Sequence, residues 1–282
     1  MTSDIVTTDI SDGVVTATIR RPAKHNAIDL AVADGLCQAV RTFGADPAMR
    51  VMAIRSEGPY FSAGADLHSP LFPDPGLPGA AAFRRWYREG RGSLHPLFDA
   101  IEAVEKPVVV VHQGPCLGGG LELSLACDFR IAGRSALYGL PEIALGGLPG
   151  SGGISRLTRI VGPHWARWLV IANMQMTAEQ ALAAGLVHEV HDDDLLDGAA
   201  TRFCRHLAAL PPEAVAAGKL TIELATDLDR AQGRNVERLA VGSLVMGPEY
   251  REHVASIRAR LSSRNAEDGL NRITRSPGHD AS

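Results

Sequence analysis

The sequence predicts an α/β fold that ends in a run of helices, and three observations carry that expectation. Short β-branched or apolar runs, VVTATIR from Val14, VMAIRS from Val51 and PVVVVHQG from Pro107, have the length and composition of strands. Segments with apolar residues at helical spacing lie between them. From Asp194 to about Ser262 the pattern is helical, with no further strand signal. The third strand is apolar on both faces and therefore belongs in the middle of a sheet.

The elements follow in order. Pro22 and Asn26 break the chain after the first strand, and Asp29 can cap a helix whose apolar face is Leu30, Val32, Leu36, Val40 and Phe43. Asp46-Pro47 ends that helix. The second strand leads into FSAGADL at 61–67. Residues 68–80 carry Pro70, Pro73, Pro75 and Pro78 and cannot form a regular element. Such a loop serves as a lid, a pocket wall or a surface insertion without a direct role. Residues 81–105 read as one helix anchored by Phe83, Trp86, Leu94, Leu97 and Ile101. After the third strand and GPCLGGG, a helix starts at Gly119, and FRIAG and SALYG read as short strands. Helices begin near Ile154 and at Pro163, and Thr177 to Gln180 is a capping box. Val187–Val190 is a last short strand, and residues 263–282 read as a mobile tail.

Bulk properties narrow the function. With 282 residues, 45% hydrophobic and 21% charged, the chain can bury a full core. A net charge of -4 offers no basic field for nucleic acid. No apolar run approaches the roughly 20 residues that span a membrane, and the N-terminus lacks a secretory pattern. Cys37, Cys116, Cys127 and Cys204 show no metal spacing and read as reduced thiols, so a cytoplasmic protein without a metal is expected.

The stretch from Gly114 to Gly153 concentrates the chemistry. It holds three glycine clusters and two glutamates, Glu122 and Glu142, among apolar residues. FSAGADL and GPCLGGGLEL echo each other as strand, glycine turn and helix start. The first N–H groups of a helix lack internal partners and carry the positive end of its dipole. Two such turns face to face would make an oxyanion hole, with the N–H groups of Ala65 and Gly119 as donors. Taken alone, Glu122 is also a dipole-favoured acid of a first turn, and Asp66 a helix-start acid. Asp128, closing its helix, is expected to bond local backbone.

FSAGADL, GPCLGGGLELSLACDFRIA and YGLPEIALGGLPGSGGISRL together resemble the enoyl-CoA hydratase/isomerase (crotonase) superfamily over roughly residues 5–262. The resemblance implies a crotonase-like spiral of repeated ββα units in residues 1–193, with a C-terminal helical trimerisation region in 194–262. It implies that Ala65 and Gly119 hold a thioester carbonyl. Glu122 would help activate a water for attack at C3, and Glu142 would deliver a proton to C2. Gly150 falls where the family supports this acid–water arrangement. Lys24, His25, Ala27 and Ala63 fall where it binds the CoA adenine and pantetheine, and Asp66, Leu67 and Gly118 join them as substrate-contacting positions. His25 is unusual there and also reads as a solvated loop histidine. The C-terminal end, with Arg258, Arg260 and Arg264, lacks the family's aromatic pattern for a CoA contact.

The resulting expectation is a 2-enoyl-CoA hydratase. It needs no separate cofactor, because CoA is part of the substrate, and it forms a homotrimer or homohexamer. Double-bond isomerisation or thioester hydrolysis on the same hole, and non-catalytic acyl-CoA binding, are the competing readings. The length of the 68–80 loop points to a bulky or branched acyl group.

Overall fold

The apolar runs become strands, and the strands become the floor of the site. The computed structural model describes residues 5–69, 79–88 and 93–262, and the chain divides into two compact units, Met1–Cys204 and Arg205–Ser282. The tail at 263–282, most of the proline-rich loop and Arg264 lie outside the described residues. In chain order the first unit runs β1 (Val6–Ser11), β2 (Val14–Ile19), α1 (Leu30–Ala45), β3 (Val51–Ser56), α2 (Ala80–Arg88), α3 (His95–Ala103) and β4 (Val108–His112). It continues with β5 (Cys116–Leu117), α4 (Gly119–Leu125), β6 (Phe129–Gly133), β7 (Leu137–Gly139), α5 (Gly153–Val170), β8 (Met176–Thr177), α6 (Ala178–Ala183) and β9 (Glu189–His191). Next, α7 (Leu196–Ala208) begins in the first unit and ends in the second, which adds α8 (Pro212–Ala225), α9 (Arg230–Met246) and α10 (Pro248–Ser262).

Six strands form one sheet in the order β1-β2-β3-β4-β6-β9. All pairs but β1–β2 are parallel. Every residue of β4 is buried, as expected of a central parallel strand covered on both faces. A second, three-stranded sheet has the order β5-β7-β8. Leu36, Phe43, Ile54, Phe61, Phe98 and Ile101 are fully buried and form the heart of the core.

Several local expectations hold. The side chain of Asp29 caps α1 by accepting from the N–H of Val32 at 2.9 Å. Thr177 and Gln180 close a reciprocal capping box. At Gly162 (φ 73°, ψ 168°) the backbone leaves the helical region inside α5, and Pro163 restarts it.

Other expectations need correction. β1 carries no apolar signal: VTTDIS is threonine-rich and half solvated, and it pairs with β2 through the tight Asp12-Gly13 turn. Residues 81–105 are not one helix. Ser93 and Leu94 are non-helical, and α3 starts with Pro96 in its first turn, where proline is tolerated. The last strand lies at Glu189–His191, slightly beyond its predicted position. Asp128 bonds far along the chain: its carboxylate accepts from the N–H of Val108 at 2.7 Å, and its own N–H donates to the Val108 carbonyl. No helix follows FSAGADL either, since residues 66–69 form a turn.

Candidate active site

The two glycine turns do meet, although only one of them opens a helix. Ser62 and Cys116 form an isolated parallel bridge, which brings 62–65 alongside 116–119. A second bridge joins Ile28 to Ala65, with the N–H of Ile28 on the Gly64 carbonyl and the N–H of Asp66 on the Ile28 carbonyl, each at 2.8 Å. A residue between two such bonds turns its own N–H to the opposite side. That side faces Gly119, on which a Cβ would stand 3.2 Å from Ala65 N. Among the described residues no acceptor takes up the N–H of Ala65 or of Gly119. The same Cβ would meet Leu94 Cδ1 at 3.2 Å, so a buried leucine shields the gap between the two donors.

The first turn is tied down by long-range bonds of side chains that the sequence reading had taken only as local turn and cap signals, and by Arg21, which it had passed over. Asn26, fully buried, donates to the carbonyls of Glu57 and Tyr60 at 2.7 Å each. Arg21 pairs with Asp66 at 2.8 Å and with Asp29 at 3.2 Å. The N–H of His68 and the Arg21 guanidinium hold the Asp66 carboxyl below its usual range, so Asp66 serves the scaffold. Of the positions expected to meet CoA, Lys24, His25, Ala63 and Leu67 are exposed, and Ala27 is half-buried on the same loop pair. The His25 ring packs on Tyr60 with 4.4 Å between centroids, and the Ala63 N–H donates to the His25 carbonyl.

Both glutamates stand beside the second turn. Glu122 lies in the first turn of α4 and is only 5% exposed. Its Oε1 accepts from the N–H of Ser151 at 2.8 Å and of Gly153 at 3.0 Å. Any side chain at Gly153 would run into it, since a Cβ there would stand 2.8 Å from Glu122 Oε1. Glu142 opens a short 3-10 turn at Pro141–Leu145. Its Oε1 would lie 2.9 Å from a Cβ on Gly118, whose φ of 50° and ψ of -128° suit glycine alone. Glu142 Oε2 is buried and without a hydrogen-bond partner among the described residues.

Burial is the larger cause, and the charge of Glu142 the second, that pushes the Glu122 carboxyl up to about 7 despite its two N–H bonds. Burial likewise raises the Glu142 carboxyl above its ordinary value. Two neighbouring acids whose proton affinities are both raised can share a proton between them. Such a pair can both accept and deliver a proton beside a site that stabilises a developing oxyanion. Among the described residues no group of three His, Cys, Asp or Glu side chains could hold a metal ion.

Sequence reasoning missed Arg21, Leu94, Ser151 and Arg156. Arg156 anchors the 149–153 turn, with Nη1 on the Ser151 carbonyl at 2.9 Å and Nε on Glu102 at 2.6 Å. Ser151 and Arg156 stand inside the last of the three motifs, but neither contact is written there; Arg21 reaches Asp66 and Leu94 reaches Gly119 from more than twenty residues away.

The enoyl-CoA hydratase/isomerase family model matches residues 9–256. The chain is 34% identical over 225 residues to the 2,3-dehydroadipyl-CoA hydratase of Escherichia coli (strain K12), covering 80% of this chain and 84% of that one. It is 36% identical over 221 residues to the carnitinyl-CoA dehydratase of Salmonella arizonae, covering 78% and 80%. The crystal structure of an enoyl-CoA hydratase from Bacillus anthracis superposes with a TM-score of 0.84 at 28% identity, covering 91% of this chain and 97% of that one. The mostly parallel six-stranded sheet, the two apposed glycine turns and these matches place the chain in the enoyl-CoA hydratase/isomerase (crotonase) superfamily.

Proposed function

We propose that this protein adds water across the double bond of a 2-enoyl-CoA thioester to give the 3-hydroxyacyl-CoA. The observation that carries this reading is buried Glu122 and half-buried Glu142 beside two N–H groups that have no acceptor among the described residues. Water adds poorly to an isolated alkene, whereas conjugation to a thioester makes C3 electrophilic once the carbonyl oxygen is held. In this reading the N–H groups of Ala65 and Gly119 take the charge of the enolate. Ionised Glu122 accepts a proton from the water as its oxygen bonds to C3, and protonated Glu142 gives its proton to C2. The product then carries one hydroxyl and one new hydrogen, and the pair returns to its starting state by exchanging a proton. The names of relatives such as the E. coli 2,3-dehydroadipyl-CoA hydratase support hydration over the other reactions of the superfamily.

The exposed face of Lys24, His25, Ala27, Ala63 and Leu67 suits CoA, whose carrier chain would lie along it. No separate cofactor enters the reaction. Trimeric or hexameric assembly fits the large apolar side chains that the second unit exposes, among them Ile222, Leu239 and Met246. Among the described residues no helix is long and apolar enough to cross a membrane.

The test is loss of the enoyl-thioester absorbance across a series of enoyl-CoA chain lengths. Hydration of at least one member is expected, and Glu122→Gln and Glu142→Gln should each lose at least ~100-fold in kcat. Isomerase or thioesterase turnover without hydration of any member would overturn the reading.

A further inference from the structure

α2 takes no part in the reaction as written above, yet one of its side chains reaches the proton-handling carboxylate at one remove. The Tyr87 hydroxyl donates a hydrogen bond to the Gly150 carbonyl. The hydroxyls of Ser151 and Ser93 lie beside it. A Cβ on Gly150 would stand 3.0 Å from Tyr87 Oη, so the phenol approaches bare backbone there. Ser151 carries the connection onward. Its N–H donates to Glu122 Oε1 at 2.8 Å, and its hydroxyl accepts from the N–H of Leu94 at 3.2 Å. The ring is itself held, stacked on Phe83 and edge-on to His95, with 5.8 Å between centroids in each case. The turn that binds Glu122 is therefore gripped from both sides, by Arg156 of α5 and by Tyr87 of α2.

We propose that Tyr87 is a positioning residue: by holding the Gly150 carbonyl and Ser151, it keeps the N–H groups of Ser151 and Gly153 aimed at Glu122 and so sets that carboxylate's orientation and proton affinity. The proposal rests on the reading of Glu122 as the group that accepts the water's proton. Hydrogen bonds from N–H groups favour the ionised carboxylate, so a looser turn raises its proton affinity further. The charged or titratable groups that face Glu122 are Glu142, which raises it, Arg156, which lowers it, and the Tyr87 phenol, which the charge of Glu122 itself raises. Burial, opposed by the Ser151 and Ser93 hydroxyls, lifts the Tyr87 phenol above its ordinary value and keeps its proton in place to be donated.

Tyr87→Phe keeps the ring and removes only the hydroxyl. Its kcat should fall about tenfold with KM within about twofold, because the loss falls on the chemical step and not on binding. The acid limb of its kcat–pH profile should move up by roughly half a unit or more. An unmoved acid limb, or a loss carried entirely by KM, would overturn the proposal. The same shift can be read without turnover, from the carboxyl carbon resonance of labelled glutamate assigned with Glu122→Gln. A wild-type enzyme that hydrates nothing would sink the functional reading, while this titration would still decide the role of Tyr87. If Tyr87→Phe fails to fold, Ser151→Ala removes the hydroxyl beside the Tyr87 phenol and leaves the N–H on Glu122. It is expected to shift the limb in the same direction by a smaller amount, and no shift would count against the proposal.

Discussion

The turn at 62–66 and the turn at 117–120 present the same group, a backbone N–H with no acceptor among the described residues, but they are built differently. The second is local. Gly118 takes a backbone conformation open to glycine, and α4, buried along its whole length, starts at the next residue. The first has no helix behind it. Its shape comes from Ser62, whose hydroxyl donates to the Asn26 carbonyl at 2.8 Å, from Asn26 itself and from the Arg21–Asp66 pair. A donor can thus be set by a helix start or by a web of long-range bonds. The first kind should be sensitive to added volume, and the second to loss of a distant polar side chain.

The largest expected effect tests the local turn. Gly119→Ala puts a methyl 3.2 Å from both Ala65 N and Leu94 Cδ1, into the gap between the two donors. Steady-state kinetics should show a loss of about 10²–10³ in kcat/KM, the size associated with one oxyanion donor. A loss under tenfold would mean that charge does not develop in that gap.

Glu122 gives the next effect, on stability. Folding raises its pKa from 4.5 to about 7, so the folded chain holds this proton more tightly than the unfolded one. The contribution is fully present below pH 4.5 and is lost as pH climbs through about 7, a change of up to about 3 kcal/mol. Denaturation of Glu122→Gln at pH 5 and pH 8 should therefore show a flatter dependence than wild type. Parallel curves would contradict the raised value.

On the web-built turn, Asn26→Ala leaves two carbonyls without their donor and should cost about 2 kcal/mol of stability. It should also lower kcat/KM about tenfold, less than Gly119→Ala, as expected when a donor is loosened and not blocked. A larger kinetic loss than that of Gly119→Ala would invert the comparison. The smallest effect is that of Asp66→Asn, which removes one pair from a partly solvated cluster. Stability should drop by no more than ~1 kcal/mol, with kcat/KM nearly unchanged.

How far the sequence could be read follows the same division. β3 and β4 were legible because a parallel strand covered on both faces is apolar along most of its length, as the runs VMAI and VVVV are. The capping box at Thr177 and the end of α1 were legible because both are matters of three or four adjacent residues. The motifs around Glu122 and Glu142 stood out because glycine next to a buried acid is rarely neutral in composition. β1 was not legible, since a half-solvated edge strand needs no apolar alternation. Nor was the break between α2 and α3, or the turn that replaces a helix after Ala65. Leu94 over Gly119, Arg21 on Asp66 and Tyr87 on Gly150 join residues thirty or more positions apart, or from separate elements, and no local pattern encodes them.

The central claim is that the paired turns and paired glutamates add water to carbon. The most direct measurement is mass spectrometry of the product formed from an enoyl-CoA in heavy-oxygen water and, separately, in deuterated water. The account predicts one heavy oxygen, in the hydroxyl at C3, and one deuterium, at C2. Heavy oxygen in a released carboxylate, or a displaced double bond with no oxygen gained, would contradict it.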